Sequence, residues 1–138
     1  MQVTDRDIER IPSRNIHVPR AEFVAVWLAA TRYPGKNLTD WYGGGVARTC
    51  RWMACGIDRP DNGLWRPTPA PVTRRAGQAF EERIQAEYIA ADRLEMRSPR
   101  PAWLLSQPGW IEGIAATLRW AWARNGPAPL PVDVAVDG

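Results

Sequence analysis

Residues 37–56 read NLTDWYGGGVARTCRWMACG, and the class of the fold turns on whether this stretch is one helix. At the 3.6-residue period, Leu38, Trp41, Gly45, Thr49, Trp52 and Met53 share one face. Asn37 with Asp40 three positions on gives a capped start, and Gly56 suits the position just past the end. The three glycines Gly43, Gly44 and Gly45 oppose this, since each costs a helix about 0.8–1.0 kcal/mol relative to alanine. The apolar spacing nevertheless carries from Leu38 to Met53 without a shift of register. The expectation is therefore an unbroken helix whose glycines are compensated by a close-crossing neighbour helix or by a tryptophan ring. The same glycines beside Arg48 also suit an anion nest, a run of backbone N–H groups with a guanidinium nearby. The segment has neither the spacing nor the lysine of a P-loop, and no GxGxxG is present.

The helical period recurs on both sides. Residues 19–33 open on Pro19 and close at Tyr33-Pro34-Gly35, with Phe23, Trp27 and Ala30 on one stripe and Val26 widening it. Residues 57–72 carry four prolines and read as an irregular connector, with a turn at Asp61-Asn62-Gly63 and with Leu64 and Trp65 packed along the surface. Thr73 is placed as the cap of a long helix over 73–97, whose buried stripe is Phe80, Ile84, Tyr88, Ala91 and Leu94. Residues 102–106 make one turn. Pro108 then opens a helix reaching Asn125, with Ile111, Ile114, Ala115, Leu118 and Trp122 inward and Trp120 off the stripe. Trp27 and Trp122 are expected in the core. Strand is expected at most in the proline-rich tail over 127–138, which is otherwise an extended tail on the surface. Residues 1–17 read as an N-terminal arm, with Thr4 and Asp7 capping one short turn. The fold expected is all-α: a single helical domain over 1–138, an irregular bundle of about four principal helices with an extended C-terminal tail.

Composition sets limits on function. The chain has 138 residues, 45% hydrophobic and 24% charged, with a formal net charge of +3. That is globular composition rather than the composition of disorder. No apolar run is long enough for a membrane helix, and MQVTDRDIER lacks the apolar region of a secretory signal, so no membrane role is expected and the cytoplasm is the expected location. Lys36 is the single lysine among 18 basic residues, and there are eight tryptophans. Cys50 and Cys55 lie about 140° apart around a helix, so they do not bridge within it. Together with His17, the only histidine, they fall short of the usual four-ligand zinc set. Both are expected as reduced, packed thiols. A zinc ion shared across a dimer is the alternative; no metal and no cofactor is otherwise expected.

Arginine interleaved with tryptophan is the chief functional signal. Arg48, Arg51 and Trp52 fall on one helix, and Arg119, Trp120 and Arg124 on another. Arg74 and Arg75 fall at the expected start of the 73–97 helix. Such residues suit a non-enzymatic interaction protein acting through an aromatic and arginine surface, as a homo-oligomer or on a protein partner. A nucleic-acid-binding module is the alternative, with guanidinium groups on phosphates and indole rings on bases. An anion or small-molecule pocket at Gly43–Gly45 is the second alternative. Catalysis has little support: no G-x-S-x-G or kinase signature occurs, and Glu82 or Glu87 would serve as a base only if buried.

Overall fold

The computed structural model describes residues 2–32, 40–58 and 63–132. Thr4 caps a short helix α1 (Asp5–Glu9) in a full capping box with Asp7, as the sequence suggests, and a 3₁₀ turn follows at Ser13–Asn15. The chain continues through α2 (Arg20–Arg32), α3 (Tyr42–Met53), the two-residue strands β1 (Ile57–Asp58) and β2 (Arg66–Pro67), α4 (Glu81–Met96), α5 (Ala102–Leu105) and α6 (Trp110–Leu118). A single π turn, Arg119–Ala123, extends α6. The molecule is mostly helical, an irregular bundle. The most extensive helix pairing is α3 with α6; α2 packs on α3, and α4 packs on α6. Phe23, Val26 and Trp27 of α2, Val46, Trp52 and Met53 of α3, Ile84 of α4 and Ile111, Ile114 and Leu118 of α6 fill the core.

The triple glycine lies in the first turn of α3, and the helix does not break there. Its place is explained by α6. A Cβ on Gly45 would run into the Trp110 carbonyl oxygen and stand 3.3 Å from the Ile114 nitrogen. A Cβ on Gly113 of α6 would run into the Tyr42 carbonyl oxygen and stand 3.1 Å from the Val46 nitrogen. The two helices therefore cross glycine against glycine. A Cβ on Gly44 would stand 3.5 Å from the ring of Trp110. Each crossing turn is closed by a buried threonine: Thr49 donates to the Gly45 carbonyl and Thr117 to the Gly113 carbonyl, both at 2.8 Å.

Several sequence expectations are corrected. The α3 helix begins at Tyr42 rather than near Asn37, which lies outside the described residues with Leu38. The Trp41 amide is taken by the Pro108 carbonyl at 2.8 Å, and Asp40 Oδ1 accepts the Tyr42 amide at 3.0 Å, so Asp40 and Trp41 stay out of the helix. At the other end the left-handed residue is Cys55 (φ 57°), not Gly56. The amides of Cys55 and Gly56 close on the Trp52 and Arg51 carbonyls, the Schellman pattern shifted by one residue.

Thr73 is not a helix cap. Its amide and that of Val72 donate to Glu87, Arg74 takes a φ of 63° and Gly77 one of 104°, and this loop delays α4 until Glu81. Strand is not confined to the tail but occurs in the 57–72 connector: β1 and β2 pair antiparallel, Ile57 with Pro67 and Asp58 with Arg66. Asp61 and Asn62 lie outside the described residues. Leu64 and Trp65, expected to pack, are exposed. The tail shows no strand up to residue 132; Leu130 is buried and the Pro129 carbonyl accepts from the Tyr42 hydroxyl at 2.8 Å.

The two tryptophans of the last helix exchange roles. Trp120 is 6% exposed and stacks on Phe23, with ring centroids 6.3 Å apart. Trp122 is only partly buried and stacks on His17 at 4.4 Å. The physical reason is the π turn, whose i→i+5 closure places an extra residue in the turn and rotates everything after Leu118 out of the α-helical phase.

Candidate functional site

The structure distributes the arginines singled out by sequence over separate places. Arg48 and Arg51, one turn apart on α3, converge on Asp58 of β1: Arg48 Nη1 lies 3.1 Å from Oδ2 and Arg51 Nε 3.2 Å from Oδ1. Thr68 donates to the same carboxylate at 2.8 Å, and Arg51 Nη2 donates to the Ile57 carbonyl at 2.8 Å. This network fixes the small hairpin to α3. Arg119 instead pairs with Asp92, at 2.8 Å, and with Glu95 of α4. The hydrogen bond to Glu95 outweighs desolvation and holds the Arg119 guanidinium above its usual pKa. Arg124 is exposed with φ 55°, closing the π turn. Trp120 is inside the core, and Gly44 and Gly45 face α6.

A cleft that the sequence did not point to opens between α1 and the start of the hairpin. Its volume is about 580 Å³, and its walls include Arg6 and Asp7 of α1, Arg10 at the C-cap of α1, Arg51 of α3, Ile57 of β1 and Trp65 before β2. The short α1 is held in place from below: Arg20 donates to the Ile8 and Ile11 carbonyls at 2.7 and 2.8 Å, and Ile11 is buried. Inside the cleft, Asp7 is fully engaged. Its Oδ2 accepts from the Thr4 amide at 2.8 Å and the Thr4 hydroxyl at 3.0 Å, and its Oδ1 accepts from Arg10 Nη2 at 2.9 Å. Burial pushes the Asp7 carboxyl up, but the Thr4 hydrogen bonds and the Arg51 and Arg10 guanidinium groups prevail and hold it below the ordinary carboxylate range.

Arg51 is the most buried guanidinium of the cleft wall, its side chain 11% exposed. Two of its nitrogens are satisfied by Asp58 and Ile57, while Nη1 is buried with no hydrogen-bond partner among the described residues. A buried guanidinium donor without an acceptor is costly, and its unneutralised positive potential favours an anion in the adjoining cleft. Three guanidinium groups thus face one carboxylate that is already engaged. Of this set only Arg51 was legible as a site residue. Arg6 and Arg10 stand at i and i+4, on one face of α1, which was the available signal; the cancelling charges of the arm concealed it.

The other candidates occupy structural roles. Glu87 is buried, and its Oε1 accepts the Val72 and Thr73 amides at 2.8 and 3.0 Å, while Glu82 is exposed. Cys50 and Cys55 are free thiols, and burial pushes both above the usual thiol range. Cys55 donates to the Ala79 carbonyl at 3.4 Å, and His17 Nδ1 lies 2.6 Å from the Trp122 carbonyl oxygen. No cluster of three or more metal-ligating side chains is found among the described residues, and no described helix is long and apolar enough to cross a membrane. Comparison with protein-family models, with curated proteins and with solved structures finds no match for this chain.

Proposed function

We propose that the protein is a non-catalytic binding module that recognises an anionic group of its partner in the cleft of Arg6, Arg10 and Arg51. The observation that carries this reading is the charge of the cleft wall, where Arg6, Arg10 and Arg51 stand beside one carboxylate, Asp7, whose oxygens are both engaged. It keeps the expectation of an arginine and aromatic interaction surface but moves it from Arg119, Trp120 and Arg124 to the junction of α1, α3 and the hairpin. A binding role rather than a catalytic one is supported by Asp7. Its carboxylate is held ionised, with both oxygens engaged, and that is a poor state for a general acid or base. Titration with inorganic phosphate, followed by NMR amide shifts, tests the reading. Binding that weakens with added salt, and by about tenfold in Arg6→Gln, is expected, since a hydrogen bond to a charged group is worth about 1.5–3 kcal/mol. Absence of shifts around Arg51 at millimolar phosphate would count against it.

Self-association is a second reading, favoured by the outer arc of α4. Glu82, Ala86, Ile89, Arg93 and Met96 follow each other at helical spacing and are all exposed. The arc is apolar at its middle, acidic at its start and basic at its end, where Arg93 and Arg97 are in no ion pair among the described residues. An antiparallel pair of copies about Ile89 would set Glu82 of each against the Arg93–Arg97 end of the other. Light scattering on a size-exclusion column at rising concentration, compared with Ile89→Glu, distinguishes a pair from a monomer.

A further inference from the structure

We infer that the groove beside the C-terminal half of α4 binds an alkyl carboxylate, an unbranched apolar chain ending in one carboxylate group. The groove shares no residue with the cleft of Arg6, Arg10 and Arg51, so this inference stands apart from that reading. Its volume is about 630 Å³, within the range of pockets that hold small organic molecules, roughly 300–1,000 Å³. It is lined by Val72 of the loop before α4 and by Ala90, Arg93, Leu94, Met96 and Arg97. Val72, Ala90 and Leu94 are half-buried, and Met96 stands at the rim, 81% exposed. A flexible, polarisable thioether presented to water adapts to an apolar body laid beside it. The lining holds no aromatic ring and no neutral polar side chain that would read a hydrogen-bonding pattern along that body. An aliphatic chain is what such a surface takes out of water.

The charge of the groove sets the head group. Arg93 and Arg97 stand one turn apart on α4, exposed, with side chains in no hydrogen bond or ion pair among the described residues. The carbonyls at the end of α4 favour cations in this place but do not neutralise them. The carboxylates of this part of α4 are committed elsewhere. Asp92 and Glu95 hold Arg119, and Glu87 is buried with the Val72 and Thr73 amides bonded to it. The lining therefore has two cations and no anion. Arg74 and Arg75, just past Val72, are exposed and also in no ion pair among the described residues, and they add positive potential without lining the groove. A guanidinium fork matches the two coplanar oxygens of a carboxylate. Ala90 and Leu94 are one turn apart on the same side of α4 as Arg93 and Arg97, so a molecule with a head and a chain meets both parts of the lining at once. An inorganic anion would leave the apolar strip wet, and an uncharged chain would leave both guanidinium groups without an acceptor.

The test is a calorimetric titration of the full chain with acetate, hexanoate, octanoate, decanoate and octanol, each kept below its micelle-forming concentration. From hexanoate to decanoate the affinity should rise about two- to fourfold per methylene group, fourfold being the worth of one fully buried. Acetate and octanol should each bind at least about tenfold more weakly than octanoate, one lacking the chain and the other the charge. Arg93→Gln and Arg97→Gln should each weaken octanoate by about tenfold and leave octanol unchanged. Met96→Ser, at an exposed position where folding is not at risk, should lower the gain per methylene group. Affinity independent of chain length overturns the inference, and so does octanol binding as tightly as octanoate. Octanoate binding that is lost in Arg6→Gln but kept in Arg93→Gln puts the carboxylate in the other cleft, which overturns this inference while the anion site there stands. Binding to phosphatidylglycerol vesicles with no binding of any free carboxylate also overturns it, and makes this face a contact for a lipid surface.

Discussion

Asp7 is buried at the N-terminus of a five-residue helix, yet it stays ionised because the Thr4 amide and hydroxyl and Arg10 are all bonded to it. Its folded-state pKa is depressed below the unfolded value. The stabilisation it contributes is therefore fully present above the unfolded pKa, near pH 4, and is lost as pH falls through the lower folded pKa. Urea denaturation between pH 2 and pH 7 should show Asp7→Asn less stable than the wild type at neutral pH, by the usual worth of a helix cap, about 0.5–2 kcal/mol. The gap should shrink below pH 4; a gap that stays constant down to pH 2 would mean that the charge of Asp7 contributes nothing. The capping box itself was legible, because Thr4 and Asp7 are three residues apart and local. The cleft above it was not. Arg51 and Trp65 approach α1 only through the packing of α3 and the hairpin, and no local spacing in the sequence encodes that approach. Buried Glu87 was missed for a similar reason: its partners are loop amides, whose positions depend on Arg74 and Gly77 taking positive φ.

At the scale of elements, the crossing of α3 on α6 is the best-read feature and also shows how far reading extends. The continuity of the stripe through Gly45 identified a close approach. Gly113, its counterpart, sits singly in WIEGIAATL, where one glycine in an apolar helix gives no cue to its partner. Because the atoms opposing both missing Cβ groups are backbone, relief requires the helices to move apart. Gly45→Ala and Gly113→Ala should each destabilise at or above the overpacking range of about 1–3 kcal/mol. Gly44→Ala meets only the Trp110 ring at an ordinary 3.5 Å and should be neutral or stabilising by up to about 1 kcal/mol. Thermal melts of the three variants check the order; equal melting of Gly44→Ala and Gly45→Ala would mean that the crossing is looser than the structure has it. The π turn marks the opposite case. Nothing in RWAWARN distinguishes i→i+5 from i→i+4 closure, so the phase of Trp120 and Trp122 could not be read from sequence, and their burial was interchanged.

For the molecule as a whole, one amide joins what the sequence keeps far apart. Asn15, buried in the 3₁₀ turn, donates through Nδ2 to the Met53 carbonyl at the end of α3, at 2.8 Å, and to the Ala79 carbonyl on the approach to α4, at 3.1 Å. Those carbonyls lie where regular structure ends, at the last residue of α3 and in the loop before α4. The N-terminal segment is thus not a loose arm but a part of the core's boundary, with Ile11 and Ile16 buried on either side of the turn. Removing the amide in Asn15→Ala takes this donor from the buried Met53 carbonyl, at about 1–3 kcal/mol, and leaves the Ala79 carbonyl only the weaker Cys55 thiol, a large share of the roughly 5–15 kcal/mol a domain has. Asn15→Asp should be worse at neutral pH, because it sets a carboxylate against two carbonyl oxygens. Urea titrations should therefore rank wild type above Asn15→Ala above Asn15→Asp at an unchanged m-value. The same substitution reaches the cleft, since α1 is carried on the segment that Asn15 anchors. Asn15→Ala should weaken phosphate binding although Asn15 is not among the residues lining the cleft. A destabilised Asn15→Ala that still binds phosphate as the wild type does, under conditions where it remains folded, would place the support of α1 elsewhere, on the Arg20 contacts to Ile8 and Ile11.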